Sequence, residues 1–520
     1  MADTNPQRLR QDLGAGIVVF LVAVPMCLGI ALASGAPLAS GIIAGVIGGV
    51  VVGQLSGSQL SVSGPAAGLT VVVLSGIETL GSWPLFLSAI VLAGALQLVL
   101  AGLRVGVVGH FFPSSVVRGL LAAIGLILIL KQIPHALGYD VDFEGDLAFW
   151  QPGGENTFTA LGHALGAATP GAALVAGVSL GFLLLWDRPD GDGPRLTRAL
   201  PGPLWVVLLG VLLNSLVLPL AAPGWVLGAE HLVGLPVVES AGELLGLLTA
   251  PDPAGFLQPA VWTLAVTIAL VASLESLLSL EAADRLDPRK RIAPPNRELF
   301  AQGTGNVLSG LLGGLPITAV VVRTTANISA GAQSRLATVV HGVLLLLAVA
   351  FGAALLNRIP LAALAAVLIL IGYRLTRPSL YVEQWRRGPA QFAPFATTLV
   401  AILLTDLLVG VLVGLAVGLA FVVFANFRRA FTLTQDGGHF ILRLSKDVSF
   451  LNKAALRETL AAIPDGAYVI VDGTPATFID PDILETLEDF RETAHYRGIE
   501  VETKRSTLSN NPEFAEDVAA

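Results

Sequence analysis

The chain of 520 residues is 54% hydrophobic and only 13% charged, with a mean hydropathy of +0.75. This composition excludes a soluble globular protein, because such proteins carry charge on about a quarter of their residues. The formal net charge of −8 does not by itself indicate a partner, because the distribution of charge between loops is what matters in a membrane protein. The single cysteine, Cys27, excludes disulfides and a thiolate metal site.

Apolar segments long enough to cross a hydrocarbon core of roughly 30 Å recur from residue 14 to residue 427. They predict an all-α polytopic membrane protein with fourteen transmembrane segments. The segments begin near Asp12, Ser40, Gly64, Trp83, Pro113, Gly171, Pro203, Val261, Leu299, Thr318, Leu336, Pro360, Phe392 and Val409. An even number of crossings returns both termini to the same side of the membrane.

Basic residues collect on one face of this arrangement, as expected for cytoplasmic loops. They are Arg8, Arg10, Arg104, Arg188, Arg195, Arg198, the residues from Arg285 to Arg297 and from Arg374 to Arg387, Arg428 and Arg429. The opposite loops at 138–159 and 221–260 contain no Lys or Arg, and the first carries Asp140, Asp142, Glu144, Asp146 and Glu155. We therefore predict that both termini are cytoplasmic.

Two segments are interrupted by polar, Gly- and Pro-containing stretches. Residues 61–67 precede the apolar run 68–73, and residues 313–319 precede the run that begins at Val320. The second break lies seven segments after the first, and an odd offset inverts one copy relative to the other. This pattern predicts a 7+7 inverted repeat with two broken helices facing each other. The alternative is that Gly and Pro simply kink two transmembrane helices.

Two half-helix N-termini directed at one point supply free backbone N–H groups and two positive dipole ends, which favour an anion. Arg323 lies about one turn into the second half-helix. A charge at mid-membrane costs roughly 2.5 to 3.5 kcal/mol on insertion scales, so such residues usually have a function. We expect Arg323 to add positive potential behind the anion. The alternative is that it reaches water or a loop acid at the cytoplasmic end of its helix.

The acidic counterpart is Glu275 in the eighth segment, with Ser279 at i+4 on the same helical face. Such a carboxyl can hold a proton, bind Na⁺ or neutralise Arg323. A fixed structural ion pair with Arg323 is therefore an alternative to a role in coupling.

Nothing in the sequence supports an enzyme. There is no nucleophile elbow, phosphate loop or zinc motif. Five histidines show no metal-ligand spacing, and we expect them in loops or at helix ends. They are His110, His135, His163, His231 and His341.

Five motifs occur along the chain: residues 12–45 with Pro25 and the run 27–35, residues 61–69, Pro113-Ser114-Ser115, Glu275-Ser276 and residues 323–331. Together they resemble the SulP anion permeases, the bacterial relatives of prestin and pendrin. The resemblance implies core and gate domains, elevator-type alternating access, a homodimer, a C-terminal STAS domain and residence in a bacterial inner membrane. It implies no nucleic-acid partner.

The resemblance also implies two groups of site residues. An anion site would be formed by Pro25, Ala66, Ala67, Ala319, Val320 and Arg323. A coupling ion, Na⁺ or H⁺, would lie at Glu275, Ser279 and Val321, with Na⁺ held by Glu275 and Ser279. No other cofactor and no further metal site is expected.

The expected anion site is more apolar than the corresponding site in many sulfate permeases. Pro25-Met26-Cys27 stands where those proteins have Pro-Gln-Ser, and Val320, Val321 and Val322 replace polar residues before the arginine. We therefore expect a small or weakly hydrated anion, bicarbonate rather than sulfate. A sulfate or chloride transporter or exchanger, an uncoupled anion channel and a nucleobase permease of similar architecture are the alternatives.

The composition changes after Arg429, where residues 431–444 predict a β-hairpin and the rest alternates helix with strand. This unit resembles a short STAS domain, in which Phe478-Ile479-Asp480 forms the turn before a helix. Pro481-Asp482 replaces the serines that soluble relatives phosphorylate, so we expect dimerisation or docking rather than a phosphoswitch or ligand sensing.

The predicted domains follow from these observations. Residues 1–11 form a cytoplasmic tail and residues 12–429 the transmembrane domain, with repeat one at about 12–220 and repeat two at about 260–429. Residues 430–520 form the STAS-like domain.

Overall fold

A computed structural model describes residues 6–141, 149, 154–186, 201–235, 241–427 and 430–504. The chain separates into two compact units, Met1–Leu415 and Ala416–Ala520. Some of the charges used for the topology lie outside the described residues: Asp142, Glu144, Asp146, Arg188, Arg195, Arg198, Arg428 and Arg429.

The first half of the membrane unit contains ten helices and one short strand among the described residues. In chain order they are α1 (Pro6–Ala33), α2 (Leu38–Ile47), α3 (Gly53–Leu55), β1 (Ser63–Pro65), α4 (Thr70–Leu80), α5 (Trp83–Gly102), α6 (Ser114–Leu137), α7 (Thr157–Gly166), α8 (Pro170–Trp186), α9 (Gly202–Leu212) and α10 (Leu218–Ala221). A π-helical turn joins α2 to α3, and another joins α9 to α10.

The second half repeats this plan. Its elements are α11 (Ala241–Gly246), α12 (Pro259–Leu286), α13 (Pro295–Leu312), β2 (Ile317–Ala319), α14 (Val321–Ser329), α15 (Leu336–Leu347), α16 (Ala353–Leu356), α17 (Leu361–Leu375), α18 (Pro378–Arg386), α19 (Pro389–Leu404) and α20 (Leu407–Phe427). A π-helical turn joins α15 to α16.

Eight helices in the described part of the chain are long and apolar enough to cross a membrane. The pair α7 and α8 is bent by 112°, and three further apolar helices are shorter. Each of the fourteen predicted segments contains a helix, which confirms the all-α membrane class. Helices α13 and α14 are in none of these groups, because α13 carries several polar residues and α14 has only 9 residues.

The membrane helices pack around separate apolar cores. One core is formed mainly by α6, α8, α17 and α19, and another by α2, α4, α5 and α12. Glycines bring neighbouring helices close together, as is common in membranes. A Cβ at Gly125 of α6 would lie 2.6 Å from the carbonyl oxygen of Gly372 in α17, and one at Gly94 of α5 would lie 2.7 Å from that of Gly303 in α13.

After α20, which runs across the boundary between the two units, the chain forms a small α/β domain, as predicted. Its elements are β3 (Phe431–Asp436), β4 (His439–Leu444), β5 (Lys446–Val448), α21 (Lys453–Ala461), β6 (Tyr468–Asp472), β7 (Ala476–Ile479), α22 (Pro481–Ala494) and β8 (Glu500–Lys504). The hairpin β3–β4 is antiparallel, and β4, β6 and β8 are parallel in a four-stranded sheet ordered β3-β4-β6-β8. The domain boundary after residue 429 stays a prediction.

Candidate functional site

The two polar breaks lie side by side in the membrane unit. Strand β1 of the first half pairs antiparallel with β2 of the second, with Ser63 opposite Ala319 and Pro65 opposite Ile317. The backbone N–H of Val320 donates to the carbonyl oxygen of Val62 at 2.9 Å, which extends the pairing. The structure therefore places the two breaks against each other.

Each strand leads directly into a helix whose first turn has no side-chain cap. Ala66 is extended and precedes a 3₁₀ turn, Ala67–Leu69, which continues into α4. Val320 is likewise extended and precedes α14. Because the first N–H groups of a helix have no partner within it, both helix starts present backbone donors and the positive end of a dipole.

Arg323 lies behind β1, in the first turn of α14. Its side chain is fully buried, and its Nη2 donates to Sγ of Cys27 at 3.3 Å. Nε and Nη1 have no hydrogen-bond partner. A Cβ at Gly64 would lie only 2.1 Å from Nη1, so the guanidinium packs directly on the backbone of β1. This burial does not match the alternative in which Arg323 reaches water.

Glu275 of α12 faces the first break. Its exposed fraction is 8%, and its Oε2 has no hydrogen-bond partner. The backbone N–H of Gly68 and the hydroxyl of Thr318 in β2 lie near hydrogen-bonding range of the carboxyl group, and a Cβ at Gly68 would lie 3.0 Å from Oε2. Glu275 and Arg323 form no salt bridge with each other, because Nη2 of Arg323 bonds Cys27 and its other two nitrogens have no partner. The alternative of a fixed ion pair between them is therefore not what the structure contains.

The remaining predicted site residues are placed as follows. Ala66, Ala319 and Val320 are buried at the strand ends, whereas Ala67 is half-buried beside the exposed Gly68. The site is therefore open on the side of these two residues. The side chains of Ala66, Ala67, Ala319 and Val320 carry no polar atoms, so only their backbone can bind an anion.

The other three predicted residues lie outside the two strands and the residues that directly follow them. Pro25 is buried in α1, two residues before the cysteine that contacts Arg323. Val321 packs in the apolar core with Met26 and can offer an ion only its backbone. Ser279 is buried on α12, one turn beyond Glu275.

Sequence reasoning missed other polar residues that touch the breaks. The hydroxyl of Ser276 accepts the N–H of Ala319 at 3.3 Å. On α13, the side chains of Gln302 and Asn306 bond Ser63 and Ile317. A signal was present, because polar residues at i, i+4 within a membrane helix are costly unless they have partners.

Comparison with known proteins agrees with this arrangement. The model of the Sulfate permease family matches residues 9–398. Putative sulfate transporter YvdB of Bacillus subtilis (strain 168) is 32% identical over 404 residues, which cover 77% of this chain and 71% of that protein. Bicarbonate transporter BicA of Picosynechococcus is 26% identical over 377 residues, or 70% of this chain and 62% of the relative. This chain thus spans less than two thirds of the length of BicA.

Solved structures share the fold. The transmembrane domain of a cyanobacterium bicarbonate transporter BicA aligns with a TM-score of 0.53 at 23% identity, covering 80% of this chain and 98% of that one. Murine Slc26a9, an anion transporter in the inward-facing state, aligns with a TM-score of 0.65 at 16% identity, covering 97% and 86%. The predicted resemblance to the SulP permeases is confirmed, and this chain belongs to the Sulfate permease family.

Proposed function

We propose that this protein is a secondary active transporter that moves a small inorganic anion, bicarbonate in preference to sulfate, coupled to Na⁺ or H⁺. The observation that carries the proposal is the β1–β2 pair, which holds two uncapped helix starts together with Arg323 behind them. The named relatives are membrane transporters, and we infer that this chain is likewise not an enzyme.

The electrostatics of the strand pair favour an anion. The guanidinium of Arg323 has the Sγ atom of Cys27 as its hydrogen-bond partner and forms no salt bridge with Glu275. A unit charge about 6 Å from a monovalent anion contributes about 3 kcal/mol at an effective dielectric constant of about 20. The two helix dipoles add to this potential. Because the guanidinium is fully buried, it acts through its field rather than by direct contact with the anion.

The chemistry of the lining favours a weakly hydrated, singly charged anion. Val320, Val321 and Val322 place three apolar side chains where the second helix begins. With apolar side chains packed at this helix start, only backbone groups are left to replace the hydration shell of an anion, and a divalent anion costs more to desolvate than a monovalent one. This supports bicarbonate, as named for the relative BicA. Sulfate is the second candidate, because the relative at 32% identity is named a putative sulfate transporter, and chloride is a third.

Glu275 provides the proposed link to a cation. Its carboxyl is buried near both breaks with an oxygen free of protein partners. An ionised carboxylate there would repel an anion between the helix starts. A proton or a Na⁺ ion, held with Ser279 and the backbone of Val321, would remove that repulsion and so favour binding of both ions together. An uncoupled channel would not need this group.

We further propose that the anion crosses by elevator-type alternating access, which rests on likeness to the family alone. We also propose that the protein resides in the bacterial inner membrane with both termini in the cytoplasm. A homodimer, and a STAS domain that serves dimerisation or docking, complete this proposal and rest on likeness to the family alone.

Uptake into proteoliposomes tests the function. Radiolabelled bicarbonate should enter saturably, with uptake stimulated by an inward Na⁺ or proton gradient, and sulfate or chloride in tenfold excess should compete weakly. Empty liposomes and the Arg323→Ala variant serve as controls. If sulfate is taken up in preference to bicarbonate, sulfate is the substrate. If the anion conductance depends on neither gradient, the protein is an uncoupled channel.

A further inference from the structure

Helix α13 presents one polar face inside the membrane unit. Glu298, Gln302, Asn306 and Ser309 are all fully buried, at spacings that place them on the same side of the helix. Polar residues at such depth are costly, and apolar ones would serve packing alone. The partners of this face indicate what it does.

Asn306 holds β2 through its first residue. Its Oδ1 accepts the N–H of Ile317 at 2.6 Å, and its Nδ2 donates to the carbonyl oxygen of Ile317 at 3.0 Å. The side-chain amide thus pairs with both backbone groups of Ile317, as a neighbouring strand would. These bonds fix the strand whose far end leads to Val320 and α14.

The other residues of this face fasten the adjoining backbone. Gln302 donates to the hydroxyl of Ser63 in β1 at 2.8 Å and to Oε1 of Glu298 at 2.8 Å. The hydroxyl of Ser309 donates to the carbonyl oxygen of Leu315 at 2.6 Å, just before β2. Helix α13 therefore contacts both strands of the proposed anion site without belonging to it.

A second branch connects Asn306 to the helix that carries Glu275. Nδ2 of Asn306 also donates to Oε1 of Gln97 on α5 at 2.7 Å, and Nε2 of Gln97 donates to the hydroxyl of Ser273 at 3.2 Å. Ser273 lies two residues before Glu275 on α12. The close approach of α5 to α13 at Gly94 allows the two amides to meet.

We propose that Asn306 is a positioning residue for the anion site, and that Gln97 links this site to the coupling helix. Asn306 fixes the geometry of β2, and β2 in turn sets the direction of the α14 N-terminus. Through Gln97 and Ser273, β2 is tied to α12, so that cation binding at Glu275 changes the affinity for the anion. This inference rests on the proposed function.

Two variants separate the branches. Asn306→Ala should raise the KM for the transported anion at least tenfold, with a smaller fall in the maximal rate per folded molecule. Gln97→Met keeps the side-chain length and leaves the Asn306–Ile317 bonds in place. In Gln97→Met, the KM for the anion at saturating coupling ion should stay within twofold of the wild-type value. The coupling factor, which is the factor by which the coupling ion improves anion affinity, should fall at least threefold. Ser273→Ala should reproduce the effect of Gln97→Met.

The measurement is proteoliposome uptake normalised to folded protein, with Thr304→Ala as the control on the same helix, because its hydroxyl bonds only its own helix. If Asn306→Ala fails to fold, Gln97→Met and Ser273→Ala decide the matter. Unchanged KM in Asn306→Ala and an unchanged coupling factor in the other two would overturn the inference. If the wild-type protein moves no inorganic anion, the proposed function is wrong, and the inference that rests on it is wrong as well.

Discussion

Replacing Gly64 by alanine should displace Arg323 and weaken anion binding while the protein still folds. The new Cβ would lie 2.1 Å from Nη1 and 3.0 Å from Cζ of the guanidinium. The backbone itself can accept alanine, since Gly64 is not among the residues with positive φ. The effect of this substitution therefore reports the position of the arginine.

The expected magnitude follows from the distance that the charge must move. Overpacking a filled site costs about 1 to 3 kcal/mol, which a protein stable by roughly 5 to 15 kcal/mol tolerates. If the guanidinium retreats from about 6 to about 9 Å, its attraction for a monovalent anion falls by about 1 kcal/mol at an effective dielectric constant of about 20. That corresponds to about a fivefold loss of affinity.

The assay is anion binding to purified protein, combined with thermal unfolding. Gly177→Ala is the matched control, because no atom lies within 4 Å of its added Cβ. In an Arg323→Ala background, Gly64→Ala should have little further effect on affinity, since the two changes act through one group. An equal loss of affinity in both backgrounds would refute the proposed role of Arg323, as would full affinity in Gly64→Ala.

Three further predictions concern other parts of the protein. Arg323→Ala should lower anion affinity about ten- to a hundredfold, because the field of a unit charge about 6 Å away contributes up to about 3 kcal/mol at an effective dielectric constant of about 20. Titration calorimetry measures this loss, and wild-type affinity would count against the site. Gly68→Ala should crowd Oε2 of Glu275, 3.0 Å from the new Cβ, and change cation dependence more than anion affinity in uptake assays. Gly242 and Ser379 are exposed, and a cysteine introduced at either position can react with an impermeant maleimide. The cysteine at residue 242 should be labelled from outside and the one at residue 379 from inside. External labelling at residue 379 would contradict the fourteen-segment topology.

A fifth prediction concerns removal of the chain from Phe431 onward. Because the proposed site lies wholly before this residue, the truncated protein should insert into membranes and bind the anion with wild-type affinity. Loss of binding in a well-folded truncate would contradict the proposed division into domains.

The sequence was sufficient to predict the membrane class and the two breaks. Long apolar runs have few structural alternatives, and Gly and Pro mark where such runs are interrupted. The odd, seven-segment offset between the breaks also predicted that they would face each other, and the β1–β2 pairing places them together.

Contacts between distant segments were beyond sequence reasoning. The bond from Arg323 to Cys27 joins residues 296 positions apart, and neither residue type indicates the other as partner. The expected alternative of an Arg323–Glu275 ion pair rested on opposite charge alone, whereas packing gave Arg323 a thiol and placed Glu275 against Gly68. The role of Asn306 depends on which helix faces α13, and periodicity does not specify that neighbour.

The central claim is that anion binding and cation coupling reside in separate groups at one site, and the Glu275→Gln variant tests it most directly. The amide keeps the shape of the side chain but cannot carry a negative charge or titrate. Uptake and equilibrium binding should be compared in wild type and variant across Na⁺ concentrations and pH values. The account predicts that Glu275→Gln retains anion binding within about threefold, a change of less than ~1 kcal/mol, while uptake no longer depends on Na⁺ or pH. Loss of anion binding in a folded variant, or unchanged dependence of uptake on the cation, would contradict it.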